Sequence, residues 1–422
     1  MSKMGKLMRK IAMVGAGMSK FGAFPDKNSR DLFGEAFINC LQSIDKNFDV
    51  KDIEALYLGN YSSDLFEGQG HLAPMCAELA GLTPKPALRT ENACASSGIA
   101  LREGILAIAS GMHDLVLVGG VEKMTDLPTA GVTDTLASAA DRIFEFHAGV
   151  TFPGLYAMMG SAHMAKYGTK KEDFMLVGIK NHNNGALNPF AQMNKSVADI
   201  MKSKIAKAEK QGKPKPAWKD EMDFLHDLSA NPYIAYPMRL FDCSLVTDGA
   251  ACVVLCSEEL AKKFTDTPIY IVGTGQGSET FAIHDRPSLT SLRSARSAAQ
   301  MAYKMAGVEP KDIQIAEVHD CFTIAELIAM ADLGFWKPEE VAQAVRDGET
   351  ALDGSKPLNT SGGLKSKGHP VGATGVAQSV EIFKQMRGQA EGKRQVKFDV
   401  ECALTHNVGG SGGSCVVHIY KK

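Results

Sequence analysis

Cys94 stands in a setting that suits nucleophilic chemistry. It follows an extended run that begins at Arg89, and it precedes the stretch 95–110, in which only Arg102 and Glu103 are charged. A helix that is apolar on nearly every side is usually buried. A thiol at the N-terminal end of such a helix faces unpaired backbone N–H groups and the positive end of the helix dipole, which favour thiolate. We therefore predict a nucleophile here, although most free cysteines are core residues.

A second reactive pair lies in the segment 317–326, where a strand-like run gives way to an amphipathic helix. We expect Asp320 to cap that helix. This would leave His319 and Cys321 at the carboxyl edge of a strand, where α/β sheets place groups that handle ligands.

A third candidate is His369, which lies between a glycine and a proline in the glycine-rich segment 361–375. Glycines allow a backbone to approach a ligand closely. A histidine held in such a loop can act as the base for a thiol. Ser361 and Gly362, at the start of the same segment, are predicted to contact substrate.

The segment 405–413 is a fourth candidate, because it holds four glycines after the strand-like run 400–404. Backbone N–H groups in such a loop can point at a developing oxyanion. The alternative is a tight turn between two strands.

The elements that must position these residues are repeated along the chain. Segments around Val14 and Val272 match, and so do segments around Ile53 and Ile313, each pair about 260 residues apart. Strand-like runs alternate with helical stretches, which favours two stacked α/β halves. The runs lie at 11–15, 54–60, 115–120, 251–256, 269–273, 313–318 and 414–420.

The region between the halves, roughly 121–238, differs in composition and contains a lysine-rich segment, 195–219. A cationic surface that meets an anionic ligand is one interpretation of this segment. The other is a solvated helix that runs into a proline-containing linker.

The whole chain has 422 residues and a formal net charge of −2, which predicts neither nucleic acid nor an anionic membrane as a partner. Its nine cysteines include no C-x-x-C pair, so we expect a reduced, intracellular protein with no metal site. The apolar stretch 11–18 is too short for a signal peptide or membrane anchor. A cytoplasmic location is therefore expected.

Together these motifs resemble those of the thiolase family. Cys94-Ala-Ser96 is similar to the nucleophile motif Cys-x-Ser, and Gly368-His-Pro370 to the family's Gly-His-Pro motif. Thiolases usually carry Asn-Glu-Ala-Phe where this chain has His319-Asp-Cys-Phe322, and a Cys-x-Gly motif where it has His406-Asn-Val-Gly409. Both departures resemble the sterol-carrier-protein-type thiolases.

The resemblance implies a duplicated, layered αβαβα fold with an inserted loop domain. The implied N-terminal half is 8–120 plus 239–266, the loop domain that binds CoA and substrate is 121–238, and the C-terminal half is 267–422.

It also implies the roles of the site residues. Cys94 would carry the acyl group, His369 would act as its base, and Cys321 would take the second acid/base role. His319 with an ordered water would hold the thioester oxygen of the enolate. The N–H of Cys94 and one from the stretch 408–410, with Val408 and Gly409 as the first candidates, would hold the tetrahedral oxyanion.

The implied reaction is CoA-dependent cleavage of a 3-oxoacyl-CoA, as in fatty-acid β-oxidation and lipid metabolism, or the reverse Claisen condensation. CoA is then a substrate, with no permanently bound cofactor, and the lysines of 195–219 could meet its 3′-phosphate. A homodimer or tetramer is implied, and some microbial relatives work with a small zinc-ribbon/OB-fold protein.

Three alternatives remain open at this point. A ketosynthase or hydroxymethylglutaryl-CoA synthase-like enzyme shares the fold but pairs its cysteine with other residues. A non-catalytic acyl-CoA-binding subunit would have no unusually reactive cysteine. A thiol redox sensor would join Cys94 to Cys321 under mild oxidant.

Overall fold

The computed structural model describes residues 7–422. Eleven strands are present among them: β1 (Ile11–Met18), β2 (Ala55–Gly59), β3 (Ala87–Thr90), β4 (Leu115–Glu122), β5 (Tyr233–Ala235), β6 (Met238–Arg239), β7 (Gly249–Ser257), β8 (Ile269–Ser278), β9 (Ile315–Glu317), β10 (Cys402–Gly409) and β11 (Ser414–Lys421). The α-helices are α1 (Ser29–Gln42), α2 (Ser63–Phe66), α3 (Leu72–Leu79), α4 (Ser96–Ala109), α5 (Thr129–Ala137), α6 (Phe152–Tyr167), α7 (Lys171–Ala186), α8 (Val197–Lys210), α9 (Glu221–His226), α10 (Glu258–Phe264), α11 (Arg293–Ala306), α12 (Thr323–Asp332), α13 (Val341–Arg346) and α14 (Thr374–Met386).

Nine strands form one mixed sheet in the order β3-β2-β4-β7-β1-β8-β11-β10-β9. The first strands of the two halves, β1 and β8, pair antiparallel at its centre, with Ile11 opposite Ile271. Outward from this junction each half continues with its last strand, then the strand before it, then its second strand. The repeat seen in the sequence is therefore a repeat of topology. The sheet contains β7, which follows the 121–238 region and pairs with both β1 and β4.

The glycines of the repeated motif allow the first helix of each half to lie close to its first strand. A Cβ at Gly17 would lie 2.1 Å from the backbone nitrogen of Cys40 in α1, and one at Gly275 would lie 2.0 Å from the carbonyl oxygen of Ala298 in α11. Larger residues at either position would push helix and strand apart. The two matching motifs thus have a packing role.

Helices α4 and α14 lie side by side in the interior and contact strands of the sheet. Helix α14 is buried along almost its whole length, and Val376, Val380 and Phe383 pack in one core cluster with Ile105 of α4. The helices α1 and α11 pack on β1 and β8 respectively. This arrangement is the layered α/β architecture that the sequence predicted.

Two local expectations are wrong. Helix α12 begins at Thr323 after Phe322, without a side-chain cap, because the buried Asp320 carboxylate instead accepts hydrogen bonds from the backbone of Leu364 and Lys365. The strand expected at 400–404 runs on to Gly409, paired residue by residue with β11. The glycine-rich loop predicted at 405–413 is therefore only the short turn between β10 and β11.

The lysine-rich segment forms the exposed helix α8 and the chain that follows it. A capping box of Ser196 and Asp199 begins the helix, and Val197 and Met201 bury its apolar side. None of the lysines of 195–219 lines the cavity that contains Cys94. No helix among residues 7–422 is long and apolar enough to cross a membrane.

Candidate active site

Cys94 lines a cavity of about 170 Å³. The turn that precedes α4 presents it there, and Ala93 adopts a left-handed conformation with φ of 49° to make that turn. Such a backbone is uncommon for a residue with a Cβ and is a recurrent feature of functional sites. Cys321 and His369 also line this cavity.

The cavity wall is mostly apolar. Its lining residues come mainly from the loop before α4, one face of α5, the start of α6, the 243–246 loop and the segments around Cys321 and His369, with four more from just beyond the ends of β2, β4, α5 and β10: Tyr61, Ala93, Cys94, Met124, Thr129, Val132, Thr133, Leu136, Ala139, Thr151, Phe152, Pro153, Cys243, Ser244, Leu245, Val246, Cys321, Phe322, His369, Val371 and Gly410. A concave apolar site with a few convergent polar groups is the usual form of a small-molecule site.

Three of the predicted residues meet in space. The Cys94 sulfur and one ring nitrogen each of His319 and His369 lie within 4.8 Å of one another. The two imidazole rings are 5.1 Å apart and cross at 82°. These residues are up to 275 positions apart in the chain, so only the fold brings them together.

The hydrogen bonds of His369 define its tautomer. Its Nδ1 lies 2.7 Å from the Thr374 hydroxyl, and that hydroxyl donates its own proton to the Pro370 carbonyl oxygen at 3.0 Å. The Thr374 oxygen must therefore accept from Nδ1–H, which leaves a lone pair on His369 Nε2. Burial, with a smaller contribution from Lys367, lowers the pKa of His369 to about 3, so the ring is neutral at pH 7.

The resting Cys94 is a thiol, which corrects the expectation of a thiolate. Burial raises its pKa to about 12, although the backbone N–H groups of Gly410 and of Cys94 itself act in the opposite direction. The cost of burying a charge exceeds the help of the helix N-terminus here. A base must therefore remove the proton when Cys94 reacts.

The backbone N–H groups that face the Cys94 sulfur belong to Cys94 and Gly410. Val408 and Gly409, which the sequence placed in the oxyanion-binding stretch, lie within β10 opposite Cys415 and Ser414. Gly410 is the first residue beyond the strand, so its N–H is free of the ladder and turns toward the cavity.

Cys321 lies two residues before the start of α12 and is 6% exposed. Burial raises the pKa of its thiol well above the ordinary value, and a hydrogen bond with the Tyr156 hydroxyl opposes this rise. The Tyr156 ring stacks on Phe322 at 4.5 Å, and while Cys321 is a neutral thiol the Tyr156 hydroxyl donates its one proton to the Gly410 carbonyl oxygen at 3.2 Å. A protonated thiol at the cavity wall can deliver a proton to a carbanion.

Ser361 and Gly362 lie away from the cavity, contrary to the expectation that they contact substrate. Ser361 is fully buried, and its hydroxyl donates to the Glu317 carboxylate. Gly362 packs against Gly185 of α7, where a Cβ would lie 2.6 Å from the Gly185 Cα. Their contribution is to hold the segment that leads to His369.

The sequence reasoning missed Glu122 at the end of β4. Its buried carboxylate accepts hydrogen bonds from the backbone N–H groups of Tyr61, Ser62 and Gly372, at 2.8, 3.0 and 2.9 Å, and from the Asn60 amide at 3.0 Å. Glu122 therefore joins the segment after β2, in the first half, to the loop that carries His369. A carboxylate at the end of a fully buried strand is the signal that could have identified it.

Two family models match the chain. The model of the thiolase N-terminal domain matches residues 11–259, and the thiolase C-terminal domain-like model matches residues 275–422. Among curated proteins, an acetyl-CoA acetyltransferase of Methanothermobacter thermautotrophicus is 44% identical over 417 residues, 98% of this chain and 100% of that protein. Sterol carrier protein 2 of Bos taurus is 31% identical over 98% of this chain and 73% of that protein.

Solved structures show the same fold. Human mitochondrial 3-ketoacyl-CoA thiolase in complex with CoA superposes with a TM-score of 0.68 at 20% identity, over 99% of both chains. A structure described as an Ltp2-ChsH2(DUF35) aldolase gives a TM-score of 0.77 at 21% identity, over 97% of both chains.

Proposed function

Because the chain belongs to the thiolase family and is a thiolase-type acyltransferase, we propose that its reaction runs through an acyl thioester on Cys94. The reaction is the CoA-dependent cleavage of a 3-oxoacyl-CoA or the reverse condensation, with CoA and acyl-CoA as substrates. The observation that carries the proposal is that the Cys94 sulfur lies within 4.8 Å of a ring nitrogen of His369, a neutral histidine whose Nδ1 is bonded to Thr374.

In the cleavage direction, the Cys94 sulfur attacks the 3-keto carbon while its proton passes to His369. The high pKa of the thiol and the low pKa of the histidine disfavour a stable ion pair, so proton transfer accompanies the formation of the carbon–sulfur bond. The N–H groups of Cys94 and Gly410 stabilise the oxyanion that forms.

The bond between the second and third carbons then breaks, and its electron pair remains on the acyl-CoA enolate that leaves. Cys321 protonates that carbanion equivalent, and His319 donates to its thioester oxygen. A CoA thiol next attacks the acyl group on Cys94 and gives its proton to the Cys321 thiolate. The carbon–sulfur bond to Cys94 then breaks, the shortened acyl-CoA leaves, and His369 returns its proton to the Cys94 sulfur. Covalent catalysis divides one difficult step into two easier ones.

The test is intact-protein mass after brief exposure to acetyl-CoA, acetoacetyl-CoA and a bulky 3-oxoacyl-CoA. We expect a mass gain equal to the transferred acyl group, absent in Cys94→Ser and retained in Cys243→Ser, which alters another cysteine of the cavity wall. A non-catalytic binding module would gain no mass. An adduct that persists in Cys94→Ser would overturn the proposal.

We further propose that the enzyme works in the cytoplasm without a permanently bound cofactor. The nine cysteines are unpaired, which suits a reducing compartment.

A homodimer or tetramer and a small zinc-ribbon/OB-fold partner are proposed from the resemblance, and the structural neighbour described as an Ltp2-ChsH2(DUF35) aldolase supports the idea of a DUF35-type partner. Light scattering of the purified chain, alone and after co-expression with candidate partners, tests both.

The lysines of 195–219 are the proposed contact for the 3′-phosphate of CoA. They lie on the exposed helix α8 and the chain after it, outside the catalytic cavity. The CoA molecule is long enough for its 3′-phosphate to bind there while its thiol lies in the cavity. Replacing several of them by glutamine should raise the KM for CoA and leave the KM for dephospho-CoA unchanged.

A further inference from the structure

The geometry points to Asn407 as the residue that sets the tautomer of His319, so that His319 presents a proton on Nε2. Asn407 lies in β10 and is 2% exposed. The inference rests in one respect on the proposed function, in which His319 donates to the thioester oxygen. The tautomer itself is independent of that function.

The orientation of the Asn407 amide is fixed by the nucleophile's own backbone. Its Nδ2 donates to the Cys94 carbonyl oxygen at 2.9 Å. A flipped amide would place Oδ1 against that carbonyl oxygen, and two acceptors in contact repel one another. The nitrogen must therefore be the atom that faces Cys94.

The same nitrogen faces the histidine. Asn407 Nδ2 lies 3.2 Å from His319 Nδ1. An amide NH₂ carries two protons and has no lone pair to offer, so His319 Nδ1 must be the acceptor. Burial lowers the pKa of His319 well below its ordinary value, so the ring is neutral and its single proton is on Nε2.

His319 Nε2 is left as a buried N–H group without a partner among the described residues. A buried donor without an acceptor costs free energy, and a catalytic role is one of the explanations for such a group in a native structure. The opposite tautomers of the two histidines provide one. His369 has an unprotonated Nε2 that can accept a proton, whereas the buried His319 has a protonated Nε2 that can donate to an oxyanion.

Two glycines make room for this amide. A Cβ at Gly98 in α4 would lie 2.7 Å from Asn407 Oδ1, and a Cβ at Gly375 in α14 would lie 2.4 Å from the same atom. The space fits asparagine and the isosteric aspartate but not a longer side chain. Both halves of the chain therefore contribute to holding one amide group.

The substitution Asn407→Asp tests the inference, because a carboxylate can accept a proton from Nδ1 but cannot donate to it. With ¹⁵N-labelled histidine, long-range ¹H–¹⁵N spectra distinguish a protonated ring nitrogen from a bare one, and His319→Gln assigns the signals. We expect Nε2–H in the wild-type protein and Nδ1–H in Asn407→Asp. The matched control is Asn183→Asp, an exposed asparagine of α7 that adds the same charge.

Kinetics supply the second readout. Loss of a donor to a developing oxyanion costs about 10²–10³-fold in kcat. Asn407→Asp should therefore lower kcat by a factor of this order and change the KM for acyl-CoA by only a few-fold.

A wild-type His319 with its proton on Nδ1, an unchanged tautomer in Asn407→Asp, or full activity of that variant would each overturn the inference. The expected spectra combined with an absence of acylated Cys94 would instead contradict the proposed function and leave the tautomer assignment intact.

Discussion

The Glu122 carboxylate accepts a hydrogen bond from the backbone N–H of Gly372 at 2.9 Å, across 250 residues of sequence. Glu122 ends the buried strand β4 of the first half, and Gly372 follows His369 in the second half. The base of the reaction is thus held in place by a residue of the half that carries the nucleophile. Both oxygens of the carboxylate accept two N–H donors each.

Glu122→Gln should therefore weaken both the fold and the reaction. The new amide NH₂ would face two of the donors that the carboxylate now satisfies, and each buried donor left unsatisfied costs about 1–3 kcal/mol. We expect the free energy of unfolding to fall by about 2 kcal/mol or more, and kcat to fall at least about tenfold because the loop around His369 loosens. Urea denaturation and steady-state kinetics measure the two effects. Glu78→Gln, at an exposed position, should change neither the free energy of unfolding nor kcat. Equal effects of the two variants would show that the hydrogen bonds of Glu122 do not hold the loop around His369.

Cys321→Ser should separate the two half-reactions. Transfer of an acyl group from acyl-CoA to Cys94 needs no proton at a carbon atom, so the mass gain on Cys94 should persist. Breaking or forming the carbon–carbon bond needs the acid/base group, whose loss typically costs about 10²–10⁴-fold. Thiolysis of acetoacetyl-CoA, followed by its absorbance, should slow by that order. A variant that loses acylation and thiolysis together would instead indicate that Cys321 supports the structure of the site.

Leu136→Trp should narrow the range of acyl groups. Thr129, Val132, Thr133 and Leu136 form the cavity-facing side of α5. A cavity near 150 Å³ can hold a group as large as benzene, so the wild-type cavity has room for acyl groups larger than acetyl. We expect kcat/KM for a six-carbon 3-oxoacyl-CoA to fall more than about tenfold, with acetoacetyl-CoA changed less than about threefold.

Leu228→Trp on the exposed surface serves as the control for that substitution. If both 3-oxoacyl-CoA substrates lose activity equally in Leu136→Trp, then the face of α5 does not bind the acyl chain.

His418→Gln should make the free energy of unfolding depend less on pH below pH 7. His418 is buried in β11, donates from Nε2 to the Gly98 carbonyl oxygen at 3.0 Å, and has a pKa that burial lowers to about 4. Between pH 6.5 and pH 4 the unfolded chain binds a proton at this residue that the folded chain does not bind. The contribution of His418 to stability is therefore lost as the pH falls through this window.

The size of that effect follows from the shift in pKa, at about 1.4 kcal/mol per pH unit, and is of the order of 3 kcal/mol. The wild type should lose that much more stability than His418→Gln between pH 7 and pH 4 in urea titrations. Parallel profiles for the two proteins would show that the pKa of His418 is the same in the folded and unfolded chains.

The amino-acid sequence alone was enough to select the residues proposed for the chemistry. Each of these residues lies next to a helix or strand, where the hydrophobic pattern of the sequence breaks: Cys94, His319, Cys321 and His369. Three of them, Cys94, His319 and His369, lie close together in the structure. The repeated glycine motifs likewise predicted two related halves, because a strand that must accept a helix at close range needs glycine.

The protonation states were decided only by the tertiary structure. The position of Cys94 before a helix predicted a thiolate, but burial by residues from distant parts of the chain makes it a thiol. The tautomers of His319 and His369 depend on Asn407 and Thr374, and the free N–H of Gly410 depends on where β10 ends. A pKa and a hydrogen-bond partner are properties of the surroundings of a group, and those surroundings form only when segments far apart in the chain have packed together.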